Sequence, residues 1–116
     1  MKITRIYTGD DQQSHFEDVE IELQDLGLGG RLSDAWPANS VIFREVEGSY
    51  DLDFHNAPRR QLVVNLQGSV EIEVGDGTKR TLGSGEILLA EDTTGQGHIS
   101  RAVNAEPRTC LFIPLN

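Results

Sequence analysis

Apolar residues in this chain alternate with polar ones and almost nowhere recur at three and four. That period of two commits the chain to strands and leaves no helix signal. "ITRIYTG" reads as a first short strand. In "FEDVEIEL", Phe16, Val19, Ile21 and Leu23 alternate imperfectly, which predicts a bulge or a strand starting at Asp18. "LGLGGRLSDAWPA", broken by glycine and proline around Trp36, is expected to be a loop wrapping the body. "NSVIFREVEG" is a strand ended by Gly48. In "QLVVNLQGSVEIEVGDGTKRTL" two β-rich runs meet at Gly68, and the second ends at the tight-turn dipeptide Asp76-Gly77. "GEILLAE", "GHISRAV" and "TCLFIPL" follow. Eight or nine short strands with turn signals between them predict an all-β sandwich or barrel. The 116 residues suit one domain, residues 1–116, with no repeat or linker. Leu62, Val63, Val64 and Leu66 are apolar on both faces, so a second sheet or a partner subunit must cover them, and a homodimer is expected.

The charge balance excludes some partners. With 19 acidic residues against 10 basic ones the formal net charge is -9, which repels nucleic-acid phosphates. Glu71 and Glu73 fall at alternating positions, as on a solvated strand face. The single cysteine, Cys110, excludes an internal disulfide and a cysteine-based zinc cluster, and within "RTCLFIPL" it reads as a small buried hydrophobe. No apolar leader and no long apolar run suggest a signal peptide or a membrane span, so a soluble cytoplasmic protein is expected.

Chemistry concentrates in two stretches, "GSYDLDFHNAPRRQLVVNLQG" and "LGSGEILLAEDTTGQGH". From Val41 to Leu115 the chain resembles the cupin (RmlC-like) superfamily of small jelly-roll barrels, also described as double-stranded β-helices. The first cupin block, G-x5-H-x-H-x(3,4)-E-x6-G, is matched by Gly48 and Gly68, with Gln61 in the carboxylate slot. Counting without gaps puts Phe54 and Asn56 in the histidine slots. Shortening the loop by one residue puts His55 in the first slot and Ala57 in the second, and both registers are open. In the second block, Gly95-Gln96-Gly97-His98 keeps the G-x2-H element. Thr93 replaces the usual proline, "EDTTG" carries two extra residues, and Ala102 replaces the asparagine.

The resemblance implies a pocket inside the barrel with His55, Gln61 and His98 near its polar centre. Its walls are expected from Phe43, Phe54, Val63 and Phe112. It also implies one divalent metal (Fe, Mn, Zn or Ni) held by His55, Gln61 and His98, with glutamine a weaker donor than glutamate and Asp53 or Asp92 as a substitute anion. Three functions remain open: a small-molecule-binding cupin, a metal-dependent enzyme of dioxygenase, isomerase or lyase type, and a non-catalytic dimerisation module. Imidazoles acting as metal-free acid or base, with Arg59 or Arg60 holding an anionic substrate, belong to the same set.

Alternation refines these assignments. Gln61, Val63 and Asn65 share one face, and Arg60, Leu62 and Val64 the other, so the arginines are expected in surface or interface ion pairs. On the strand from Val41 to Glu47, Phe43 and Glu45 share a face opposite Ile42, Arg44 and Val46. Arg44 is then either a paired interface residue or a pocket cation. "AEDTTGQGHISR" reads as a self-bonded turn whose Gly95–Gly97 backbone could aim His98 inward. His15 reads as a solvated loop histidine, and Trp36 as a core or dimer plug, or one wall of the pocket.

Overall fold

The computed structural model describes residues 1–116, and every regular element is a strand. They are β1 (Lys2–Thr8), β2 (Ser14–Glu20), β3 (Gln24–Asp25), β4 (Arg31–Leu32), β5 (Ile42–Val46) and β6 (Asp51–His55). The second half supplies β7 (Gln61–Gln67), β8 (Val70–Glu73), β9 (Lys79–Leu82), β10 (Ile87–Glu91), β11 (His98–Ala102) and β12 (Arg108–Pro114). A six-stranded sheet runs in the order β2-β1-β10-β7-β12-β5, and a four-stranded sheet in the order β6-β11-β8-β9. The β1–β10 pair is parallel. A small β3–β4 hairpin stands apart from both sheets.

Apolar residues from both sheets meet in one core. Ile6, Leu88 and Ala90 come from the larger sheet and Val70, Ile72 and Leu82 from the smaller, joined by Ala57 and Val74. The period of two explains the partition on β8. Val70 and Ile72 are buried, while Glu71 and Glu73 face out to bond Arg101. Gly68 turns β7 into β8 with φ +84°, and a Cβ there would lie 2.5 Å from the Pro107 carbonyl oxygen. Only glycine accepts both conditions.

Four expectations are corrected. The barrel does not close: β2 and β5 remain edges of one sheet, β6 and β9 of the other. Facing sheets are held about 10 Å apart by their side chains, beyond backbone hydrogen-bond reach. β2 begins at Ser14, and its ladder with β1 runs unbroken from Thr8–Ser14 to Lys2–Glu20, so neither a bulge nor a start at Asp18 is needed. His15 therefore lies in a strand, beside Asp11. The expected Trp36 loop begins as the turn of the β3–β4 hairpin and includes β4, and Trp36 is no core plug; it is partly exposed under the Arg60 guanidinium. Leu52 and Phe54 of β6 do alternate with acids, but the run is short and aspartate is a poor strand former, so its strand signal in sequence is weak.

Ile6 is fully buried between the sheets. Ile6→Ala is expected to lower stability by about 3 kcal/mol through lost apolar contact and the cavity left behind. Urea titration followed by tryptophan fluorescence measures it.

Candidate functional site

A cavity of ≈ 200 Å³ lies between the two sheets. β7 contributes Gln61, Val63 and Asn65; β12 contributes Arg108 and Phe112; β5 contributes Arg44. From the opposite sheet come His55, Val70, Ile72, His98 and Ser100. The predicted β7 face is therefore the one that lines the cavity, and Arg60 lies outside, ion-paired to Glu91.

His98 opens β11, and its Nδ1 lies 2.5 Å from Asp92 Oδ2. A carboxylate oxygen accepts, so Nδ1 carries the hydrogen and the neutral ring keeps its lone pair on Nε2. Asp92 is completely buried and also accepts a hydrogen bond of 2.7 Å from Ser14 Oγ. His55 is fixed in the same sense, because its Nδ1 donates to the Asp53 carbonyl at 2.8 Å. The two imidazole centroids are 4.5 Å apart with planes inclined at 57°. In the uncharged tautomers both rings thus offer an Nε2 lone pair to hydrogen-bond donors, in a lining that mixes apolar side chains with amides and guanidinium groups.

A β-bulge aims His55. Between the pairs His98–His55 and Ser100–Leu52, β6 advances three residues while β11 advances two. The extra residue reverses the side-chain phase, so Leu52 and His55 both border the cavity although strict alternation would oppose them. Phe54 is turned outward. Gly97 makes this possible from the other side. Its φ is +79°, and a Cβ would lie 2.0 Å from the His55 carbonyl oxygen, so only glycine lets the β6 backbone approach.

Of the residues named from sequence, His55, Gln61, Val63, His98 and Phe112 line this one cavity. Phe43 and Phe54 do not. Phe43 is 83% exposed on edge strand β5, and Phe54 is 38% exposed. Alternation on β5 turns Arg44 inward instead, where it lines the cavity as a cation, its guanidinium 4.9 Å from the Phe112 ring centroid. Trp36 forms no wall of it.

Arg108 and Tyr50 are not among the residues expected at the site, Asn65 was placed only by its face, and Asp92, expected only as a substitute anion, instead orients His98. The signal for Asp92 was present, since Leu88, Ala90 and Asp92 keep one phase beyond the end of β10. Arg108 likewise shares phase with Cys110 and Phe112.

These residues do not fit a resident mononuclear metal. No group of three His, Cys, Asp or Glu side chains converges anywhere in the chain. Asp92 is engaged on the Nδ1 side of His98, away from where a metal on Nε2 would be. Two imidazoles and one neutral amide fall short of the donor set that holds a divalent ion.

Burial holds the His55 imidazole below its ordinary pKa, and the nearby His98 and Arg44 push the same way against the hydrogen bond to Asp53. The unfolded chain then binds a proton more readily than the folded one. This contribution to stability is complete above the unfolded value of about 6.5 and is lost as pH falls through the lower folded value. The wild-type Tm is expected to drop more steeply than that of His55→Gln between pH 6.5 and 5, as followed by circular dichroism.

No protein-family model matches the chain, and no curated protein matches it. Among solved structures, protein NMB1881 from Neisseria meningitidis aligns with a TM-score of 0.51 over 84% of each chain, at 15% sequence identity. At that identity the likeness is one of fold alone.

Proposed function

We propose that the chain is a small cupin-like protein that binds a small organic ligand between its sheets and acts as a homodimer. The observation that carries this reading is the inter-sheet cavity in which His55 and His98, each tied through Nδ1, keep Nε2 for a ligand. A merely structural interior would be expected to fill with aliphatic side chains. This one places two imidazoles, the amides of Gln61 and Asn65 and two guanidinium groups there. The donor set favours hydrogen-bonded binding over a metal-dependent dioxygenase, isomerase or lyase. The Asp92–His98 pair also suits proton abstraction from a bound ligand, which is the enzymatic reading that the geometry favours.

Thermal-shift measurements with small organic acids and sugars test the binding reading. A ligand at a hundred times its Kd adds about 2.7 kcal/mol, a rise of several degrees, and His98→Ala should abolish it. Elemental analysis of protein purified without chelator addresses the alternative. Stoichiometric Fe, Mn, Zn or Ni that disappears in His98→Ala would replace the metal-free reading with the metal-dependent one.

The dimer proposal rests on exposed apolar groups: Leu28 at 89% and Leu32 at 59% on or beside the β3–β4 hairpin, and Phe43 on edge strand β5. An apolar arm and an unpaired edge on one molecule fit a second copy. Light scattering is expected to give twice the chain mass for wild type and a single chain mass for Leu28→Glu/Phe43→Glu. A wild-type monomer at every concentration would refute it.

A further inference from the structure

The arginines of this chain divide into three kinds. Arg5, Arg60, Arg80 and Arg101 are ion-paired with acids. Arg31 and Arg59 are exposed to solvent. Arg44 and Arg108 are neither exposed nor paired: no carboxylate lies within 4.0 Å of either. Acids outnumber bases by 19 to 10, so the missing partners do not reflect a shortage of carboxylates.

Both unpaired arginines face the cavity. Arg44 is opposite Cys110 in the β5–β12 register and Arg108 is opposite Val46, so the two project from one face of the sheet. Tyr50 lies beside both, with its ring centroid 5.2 Å from the Arg44 guanidinium carbon and 5.9 Å from that of Arg108. Its hydroxyl is held at 2.8 Å by Ser100 Oγ. Arg108 is only 7% exposed, and its Nε is buried with no hydrogen-bond partner. The Arg44 side chain has one hydrogen-bond partner, the thiol of Cys110, 3.9 Å from Nη1 and a weak acceptor. Burial lowers the Arg108 pKa, and Arg44 adds like-charge repulsion. An arginine nevertheless stays protonated. A desolvated guanidinium with a second, half-buried one on the same face of the sheet is costly unless an anion joins them. Glu86, the remaining acid of the lining, is exposed and pairs with neither.

We propose that Arg44 and Arg108 form a carboxylate-binding subsite, and that the ligand of this cavity is a small hydroxycarboxylate. This deepens the binding reading above and rests on it. The carboxylate accepts from the two guanidinium groups, including the orphaned Arg108 Nε. A hydroxyl elsewhere on the ligand donates to Nε2 of His98 or His55, and its carbons lie against Val70, Ile72 and Leu88. The ≈ 200 Å³ of space is below the roughly 300 Å³ of drug-sized sites, which restricts the ligand to a few carbons. A planar carboxylate matches the guanidinium fork.

The test is a calorimetric and thermal-shift comparison of lactate, 3-hydroxybutyrate and malate with lactamide, 3-hydroxybutyramide and inorganic phosphate, at constant ionic strength. At least one hydroxycarboxylate is expected to bind while its amide does not. Arg108→Gln should weaken that binding roughly tenfold to a hundredfold, the scale of a lost charge-assisted hydrogen bond. Arg44→Gln, at a half-buried position, repeats the measurement should Arg108→Gln fail to fold. Amides that bind as well as acids, or affinities unchanged in the arginine variants, would overturn the carboxylate subsite and leave the binding reading standing. Tighter binding of phosphate than of every carboxylate would overturn the ligand class. If no compound of either charge binds, both the subsite and the binding reading fall.

Discussion

The carboxylate of Asp92 joins the halves of this molecule. It is fully buried at the end of β10, accepts from Ser14 of β2, and bonds His98 at the start of β11. One side chain therefore links the six-stranded sheet to the four-stranded one through a charge-assisted contact. Buried carboxylates are expensive to desolvate and persist when their partners are fixed. Its backbone carbonyl also accepts from Ala57, which follows the His55 strand. The ring orientation of His98 and the course of the chain just after His55 thus depend on this anchor. The same bond decides what His98 offers, because the ring that donates through Nδ1 keeps its lone pair on Nε2.

A sandwich of this size would gain most from a dry interior. This one is dry only toward β1, β8 and β9, where Ile6, Val70, Ile72 and Leu82 pack together. Across β5, β7 and β12 the inward positions are Arg44, Gln61, Asn65 and Arg108. Asn65 Oδ1 and Arg108 Nε are buried without partners, a sacrifice of stability of about 1–3 kcal/mol for each group. Local disagreement with the rules of a stable core is what a binding site imposes, and it supports the proposed binding reading. The exterior behaves in the ordinary way, with Arg5 and Arg60 both bonded to Glu91 and Arg101 bonded to Glu71 and Glu73.

Geometry around the histidines comes from backbone irregularity. The bulge in β6 turns His55 inward and Phe54 outward, and Gly97 admits the β6 backbone at a distance no Cβ would tolerate. Bulges recur where a strand must re-aim one side chain. The displaced asparagine beside it, Asn56, is used elsewhere, donating to the carbonyls of Thr94 and Gly95 and so tying the two loops together.

The sequence by itself determined the all-β class, most strand positions, and the faces of β7 and β8, because a period of two is a local property of the chain. The turns at Gly68 and at Asp76-Gly77 are legible for the same local reason, whereas the grouping of Gln61, Val63, His98 and Phe112 comes from the cupin resemblance. Alternation even contained the inward phase of Arg44, Asp92 and Arg108, though a charged side chain is read as solvated until a partner or a cavity is seen. Tertiary structure alone decided where His55 points, since a bulge is a relation between two strands and appears in neither one. It alone decided that the sheets stay open, and that two arginines among many acids are left unpaired. Pairing depends on distance through space, and residues far apart in the chain acquire that distance only when the sheets face each other.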